Sequence, residues 1–281
     1  MDYIKPTKLV EDVAIAGVYK SNLKPSDILI KGILSGAFLG FATTFAYTAT
    51  IETNLSIVGA FIFPAGFVLI LLLGLELVTG NFAMLPLARI RGLTSSTKVI
   101  NNFFWAFLGN LLGSLLYGIL FYIVTTKLGH VTQGDMLDKI ISVAEGKTLA
   151  YKSLGGEGII VVLTKAILCN WMVTLGAFMA FVSSSTIGKI AAMWLPVFMF
   201  FALGFEHAVV NMFVIPTAIF MGANISLSDW WLWNQIPVTI GNFIGGFIFT
   251  ALALHFVNKK KVTKTENVII HYPSALKDKE I

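Results

Sequence analysis

Cysteine is almost absent: Cys169 is the one thiol in 281 residues. A single cysteine excludes an intrachain disulfide and a cysteine-based zinc set. Charge is scarce too. Asp, Glu, Lys and Arg make up 12% of the chain against 56% hydrophobic residues, and mean hydropathy is +0.81. That leaves too little polar surface to cover a soluble core. Also missing are a phosphate loop, a dinucleotide fingerprint, an HExxH helix and a nucleophile elbow. The longest polar stretch between apolar runs, residues 127–157, is too short for a soluble catalytic domain. An enzyme built within the apolar runs on Glu206 and His207 would lack both an aspartate and a second central histidine. No enzyme, cofactor or metal is therefore expected.

What the chain does have is long apolar runs, the mark of a membrane protein. Candidate spans are 28–50, 56–88, 99–125, 158–182, 190–221 and 235–257. The stretch before them, Met1–Pro25, lacks the apolar core of a cleaved signal, so the first span is expected to stay as an anchor. The net charge of +5 comes from lysines at the termini and beside the runs. They suit a lipid surface rather than nucleic acid. Lys5, Lys8, Lys20, Lys24, Lys31, Arg89, Arg91, Lys98, Lys189 and Lys259–Lys261 fall on one side. The other side has only Lys127, Lys139, Lys147 and Lys152, diluted by Asp135, Asp138, Glu145 and Glu157. The positive-inside rule then places both termini in the cytoplasm. Trp230, Trp231 and Trp233 are expected to anchor the outer interface ahead of the sixth span.

Spans two and five are too long for one straight helix and carry polar residues near their middles. Gly74, Glu76, Asn81, Pro86 and Gly92 recur further along, all at one constant offset, as Gly204, Glu206, Asn211, Pro216 and Gly222. Gly109, Asn110 and Gly113 recur at almost the same offset as Gly241, Asn242 and Gly245. The chain thus reads as two related halves of three spans, the second entering the bilayer from the opposite side. The expected fold is an all-α membrane protein of six transmembrane helices, arranged as two inverted three-helix repeats with broken second and fifth helices. Residues 1–27 are read as a cytoplasmic segment, 28–258 as the pore domain and 259–281 as a cytoplasmic basic tail. Irregular backbone at membrane depth is tolerated where it lines a cavity or lies buried in protein. Paired breaks favour a pore over buried kinks.

Ionisable groups inside a membrane are costly and need a reason. Glu76 and Glu206 open the breaks and are expected to cap the free N–H groups of the half-helices that follow. Asn81 and Asn211 belong to the same structural motif. His207 lies inside a break, where a histidine can donate to an anion or lend it a proton. Thr79 in the other break either donates to the same site or bonds back to its own helix. Asn170 and Asn242 suit interhelical hydrogen bonds. Lys152 and Lys165 bring positive charge toward the outer end of the fourth span, and Lys165 has the stem to snorkel. Phe63, Phe67, Phe200 and Phe201 flank the breaks, and phenylalanines can form dry constrictions. A small monovalent anion is the cargo these features fit best. A water or glycerol pore is the alternative, since a three-plus-three fold with two broken helices suits it too.

The strings Phe63-Pro64-Ala65-Gly66 and Gly74-Leu75-Glu76-Leu77-Val78-Thr79-Gly80-Asn81 resemble the second-span motif of the formate/nitrite transporter family. Leu168-Cys169-Asn170-Trp171-Met172-Val173 resembles its fourth-span motif. Gly204-Phe205-Glu206-His207-Ala208-Val209-Val210-Asn211-Met212-Phe213 resembles its fifth-span signature, and Ile236-Pro237-Val238-Thr239-Ile240-Gly241-Asn242 its sixth. The likeness covers roughly residues 28–258. It implies an aquaporin-like protomer with its own pore, assembled as a homopentamer in the cell membrane. It implies a central Thr79 and His207, an outer constriction of Leu77 and Phe200, and an inner one at Phe67. Asn170 and Asn242 would stand near the pore, and Lys152 would be an outer lysine that attracts anions. The cargo would be formate, with nitrite, hydrosulfide or lactate as alternatives, crossing passively or with a proton.

Overall fold

The computed structural model describes residues 2–258, so the expected basic tail at 259–281 lies outside the described residues. The chain is helical: α1 Pro6–Ser21, α2 Pro25–Thr53, α3 Ser56–Leu72, α4 Val78–Ile90, α5 Ser96–Thr126, α6 Asp135–Lys147, α7 Leu149–Ser153, α8 Gly156–Met179, α9 Thr186–Ala202, α10 Ala208–Phe220 and α11 Leu227–Val257. Helix starts follow their sequence signals. Proline leads α1 and α2, where its missing N–H is no loss. The Ser95 hydroxyl caps α5, the Ser185 hydroxyl caps α9, and a Ser226–Asp229 capping box opens α11.

By length and composition, α2, α5, α8 and α11 can each cross a membrane unaided. The two long, broken runs resolve into α3 with α4, and α9 with α10. From Val78 to Ala88, and again from Ala208 to Ala218, every residue is buried. A helix covered on all sides belongs at the centre of its fold, and α4 and α10 hold that place here. Gly74 and Gly204 end the preceding helices with φ of +63° and +64°. Their neighbours close matching turns, Leu75 N–H on the Ile70 carbonyl and Phe205 N–H on the Phe200 carbonyl. Only glycine takes that left-handed turn without strain. Gly92 and Gly222 end α4 and α10 in the same way.

The repeat is larger than the three-span unit read from sequence. α1 and α6 head the two halves, and the chain's alternation sets them at opposite ends of the bundle, here called the α1 mouth and the α6 mouth. α1 is packed in place: Val10, Val13 and Ala14 are buried, and Ser21 and Asn22 bond to Thr94 and Lys98. The polar stretch 127–157 contains α6 and α7. One of the three tryptophans departs from expectation. Because α11 begins at Leu227, Trp230 falls within a helix; it is 5% exposed and its indole N–H donates to Gln235.

Candidate functional site

Each half-helix begins at a break, and each break is fastened by one asparagine. Asn110 Oδ1 accepts the Val78 N–H at 2.9 Å, while its Nδ2 donates to the carbonyls of Glu76 (2.8 Å) and Gly32 (3.0 Å). Asn242 repeats the pattern: Oδ1 accepts the Ala208 N–H at 2.9 Å, and Nδ2 donates to Glu206 (2.9 Å) and Ala166 (2.8 Å). The expected capping by Glu76 and Glu206 is therefore not what occurs: an asparagine from α5 or α11 takes the first N–H of each half-helix, and the carboxylates turn to other partners.

The two carboxylates instead hold lysines from the peripheral helices. Lys20, at the end of α1, donates to Glu76 Oε1 at 2.7 Å, and Asn81 and Asn102 donate to Oε2. Lys147, at the end of α6, donates to Glu206 Oε2 at 2.9 Å, joined there by Asn211 and Asn234; Tyr151 donates to Oε1 at 2.8 Å. Each carboxylate is 1% exposed, which is tolerable because it is both paired and fully hydrogen-bonded.

Between these frames the halves differ. Thr79 Oγ1 and His207 Nε2 lie 2.9 Å apart, joining the two breaks, and both residues are buried. The Val210 N–H donates to His207 Nδ1 at 3.2 Å, so the ring also caps α10. With Nδ1 accepting, the proton of the neutral ring sits on Nε2 and is donated to Thr79. That leaves the threonine hydroxyl proton free for a ligand. The Phe200 ring lies nearly parallel to the imidazole, with centroids 5.6 Å apart, and Phe63 stacks on Phe201 at 4.0 Å. Asn170 donates to the Thr79 carbonyl at 3.0 Å, while its Oδ1 is buried without a partner among the described residues. Leu77 and Phe67 are buried, at 3% and 2% exposed. Lys152 stands apart, half exposed and paired with Asp229 at 2.8 Å.

A family model described as formate/nitrite transporter matches residues 7–256. The chain belongs to the formate/nitrite transporter family. A formate channel of Bacillus thuringiensis is 36% identical over 259 residues, which cover 90% of this chain and 95% of the relative. Among solved structures, an FNT family ion channel matches with a TM-score of 0.78 at 25% identity, covering 89% of this chain and 99% of that one. A pentameric formate channel with formate bound matches with a TM-score of 0.67 at 23% identity, covering 83% and 97%. The family and these relatives are channels and transporters rather than enzymes, and the chain is a multi-pass membrane protein.

The formate/nitrite transporter fold brings Thr79, His207, Phe200, Asn170 and Asn242 to one centre, from three helices and the two breaks. It adds residues that sequence reading passed over. Lys20 and Lys147 entered the sequence reading only as charges that set the orientation, and Asn102 and Asn234 did not enter it. The signal available for them was the repeat itself: Asn102 precedes Asn234 by the same offset that relates Asn110 to Asn242.

Proposed function

We propose that the chain forms a pore for small monovalent anions, with formate as its main cargo. The observation that carries this reading is the Thr79–His207 pair, held at the junction of two half-helix starts in a protein of this family. The likeness to the Bacillus thuringiensis formate channel supports formate in particular. Nitrite, also a small anion of a weak acid, is the second reading, favoured by the family's own range. Six membrane crossings, with both broken runs counted as one each, keep both termini in the cytoplasm, so that the α6 mouth opens outward from the cell membrane. Five copies assemble, as in the solved formate channel of the same fold.

In this reading an anion passes a dry constriction at Leu77 and Phe200, meets the Thr79 hydroxyl, and leaves past Phe67. Shedding water among phenylalanines is expensive for a full charge. A second proton on His207 relieves that cost, either by standing as a counter-charge or by passing to the anion. It can enter the ring only at Nδ1, by displacing the Val210 N–H, so the capping bond gates the protonated state. More acidic conditions favour that state, and uptake should rise as pH falls. Proteoliposome uptake of formate, nitrite, hydrosulfide, lactate and glycerol, compared between pH 5 and 8, tests the reading. Formate flux that increases toward pH 5 in the wild type and loses that dependence in His207→Phe is the expected result. Glycerol flux without anion flux would overturn it.

A further inference from the structure

Between α5 and α11 lies an apolar groove of about 460 Å³, with the half-helix α4 as its floor. Val78 and Phe82 form that floor, Ile100, Phe104 and Leu111 line the α5 wall, and Thr239 stands in the α11 wall. The threonine hydroxyl is already spent, donating to the Gln235 carbonyl at 2.7 Å, and the Val78 N–H is held by Asn110. A bed of this size that offers no hydrogen bond suits a hydrocarbon chain.

The groove runs the depth of one leaflet. α5 has 31 residues, so it overshoots a ~30 Å hydrocarbon core by roughly 8 Å at each end. Ile100 then lies at the edge of the core beside the α1 mouth, and Leu111, about 16 Å further along, close to the midplane. The outer end carries a cation. Arg89 stands two turns after Phe82 and three after Val78, so it shares their face of α4. Its Nε donates to Ser96 Oγ at 3.0 Å, one turn ahead of Ile100 on α5. Arg89 is exposed, and among the described residues no carboxylate pairs with it. The other basic groups of this link are turned elsewhere: Lys98 donates to Asn22 beside α1, and the Nε of Arg91 is buried. In the other half of the repeat Ile219 takes the place of Arg89, so this charge is no part of the common frame.

We propose that this groove binds one anionic phospholipid from the leaflet at the α1 mouth. Arg89 holds the headgroup phosphate, and an acyl chain lies along α5 against Val78 and Phe82. A guanidinium fixed through Nε keeps its other N–H groups for phosphate oxygens, which its planar fork matches. In the orientation proposed above this is the cytoplasmic leaflet, where anionic lipids collect. The site goes beyond the anion-pore reading and does not depend on it. Its place still matters to the break, because Val78 opens the half-helix and Thr79 follows it. A chain in the groove braces that start from the lipid side. A second copy of the chain is the competing occupant, but an apolar helix laid there offers no anion to Arg89.

Two measurements on the full chain test this. In the first, delipidated protein in detergent is titrated with phosphatidylglycerol or phosphatidylcholine, and bound lipids are counted by native mass spectrometry. One phosphatidylglycerol per chain, held more tightly than phosphatidylcholine, is the expected result. Arg89→Gln should raise the half-saturating phosphatidylglycerol concentration about five-fold, the worth of one basic side chain at an anionic membrane surface. Phosphatidylcholine binding should not change with it. Arg89→Lys should keep most of the preference, Lys98→Gln should leave it intact, and Leu111→Trp, which fills the inner end of the groove, should weaken both lipids. In the second, a thiol-reactive photocrosslinker on Phe104→Cys is activated in phosphatidylglycerol vesicles, with the buried Cys169 of the wild type setting the background. It should join lipid. Equal binding of the two lipids, or an unchanged phosphatidylglycerol affinity in Arg89→Gln, overturns the proposal. So does a crosslink that joins two copies of the chain, which would give the groove to a neighbouring protomer.

Discussion

The two halves of this protein agree at the edges and differ at the middle. Asparagine, carboxylate and lysine recur bond for bond around both breaks. Thr79 and His207 do not recur: in the opposite half their places belong to Val209 and Leu77. Asn170, which holds the Thr79 carbonyl, corresponds to Gly36. The frame has to break a helix in membrane twice, and the same chemistry solves that problem both times. The centre handles one solute, for which a single polar cluster against apolar counterparts suffices. Symmetry thus reports what is structural, and its loss marks the residues proposed for function.

The lysine–carboxylate pairs offer the largest test. Removing one partner of a buried pair leaves an uncompensated charge, costing of order 3–5 kcal/mol. Lys20→Met and Lys147→Met should both lower the temperature at which the detergent-solubilised protein aggregates. Lys20→Met should do so more, because Glu76 keeps only Asn81 and Asn102, whereas Glu206 keeps Tyr151 besides Asn211 and Asn234. Equal losses would mean that the tyrosine adds nothing to the α6-mouth cluster.

Thr79→Val makes the centre symmetric by importing the residue of the other half. A hydrogen bond to a charged ligand is worth about 1.5–3 kcal/mol, so formate flux should fall at least ten-fold while the folded fraction changes little. A variant that conducts normally would show that the hydroxyl does not meet the anion. Smaller still is the cost of breaking the frame at its glycines. Gly74→Ala and Gly204→Ala each force a side chain into left-handed backbone, at roughly 1–2 kcal/mol. Nothing lies within 4 Å of the added methyl group at either position, so the two losses in thermal stability should be equal. Unequal losses would show that the turns are held by different surroundings after all.

Much of this architecture was legible in the sequence, because the residues that break helices are few and recur at one offset. Gly74 and Gly204 mark the breaks directly, and the apolar runs give the long helices to within a few residues, apart from the earlier start of α11. What was not legible follows from one cause: the partner of a buried charge sits on a different element. Glu76 could be read as a helix cap because a cap is local. Its true partner, Lys20, lies 56 residues away on a helix whose composition looks like that of a solvated surface. His207 was legible as an intramembrane ionisable group, but not its second role. The bond from Val210 to Nδ1 depends on the turn of backbone just before α10.

The smallest expected effect belongs to Lys152. Its bond to Asp229 matches that of Lys147 to Glu206 in type and nearly in length, 2.8 Å against 2.9 Å. The difference is water. The Lys152 side chain is 50% exposed, while that of Lys147 is 17% exposed and touches a carboxylate that is almost completely covered. Exposed pairs contribute roughly 0–1 kcal/mol, since solvent replaces most of what the partner provides. Lys152→Ala should therefore leave aggregation temperature nearly unchanged, and the half-saturating formate concentration with it, because Asp229 already cancels the charge an anion would sense from a distance. The deciding comparison is Lys152→Ala with the wild type in the same vesicles at low salt. A clear shift in half-saturation would mean that the ion pair opens when an anion arrives, and that the exposed lysine at the rim attracts it.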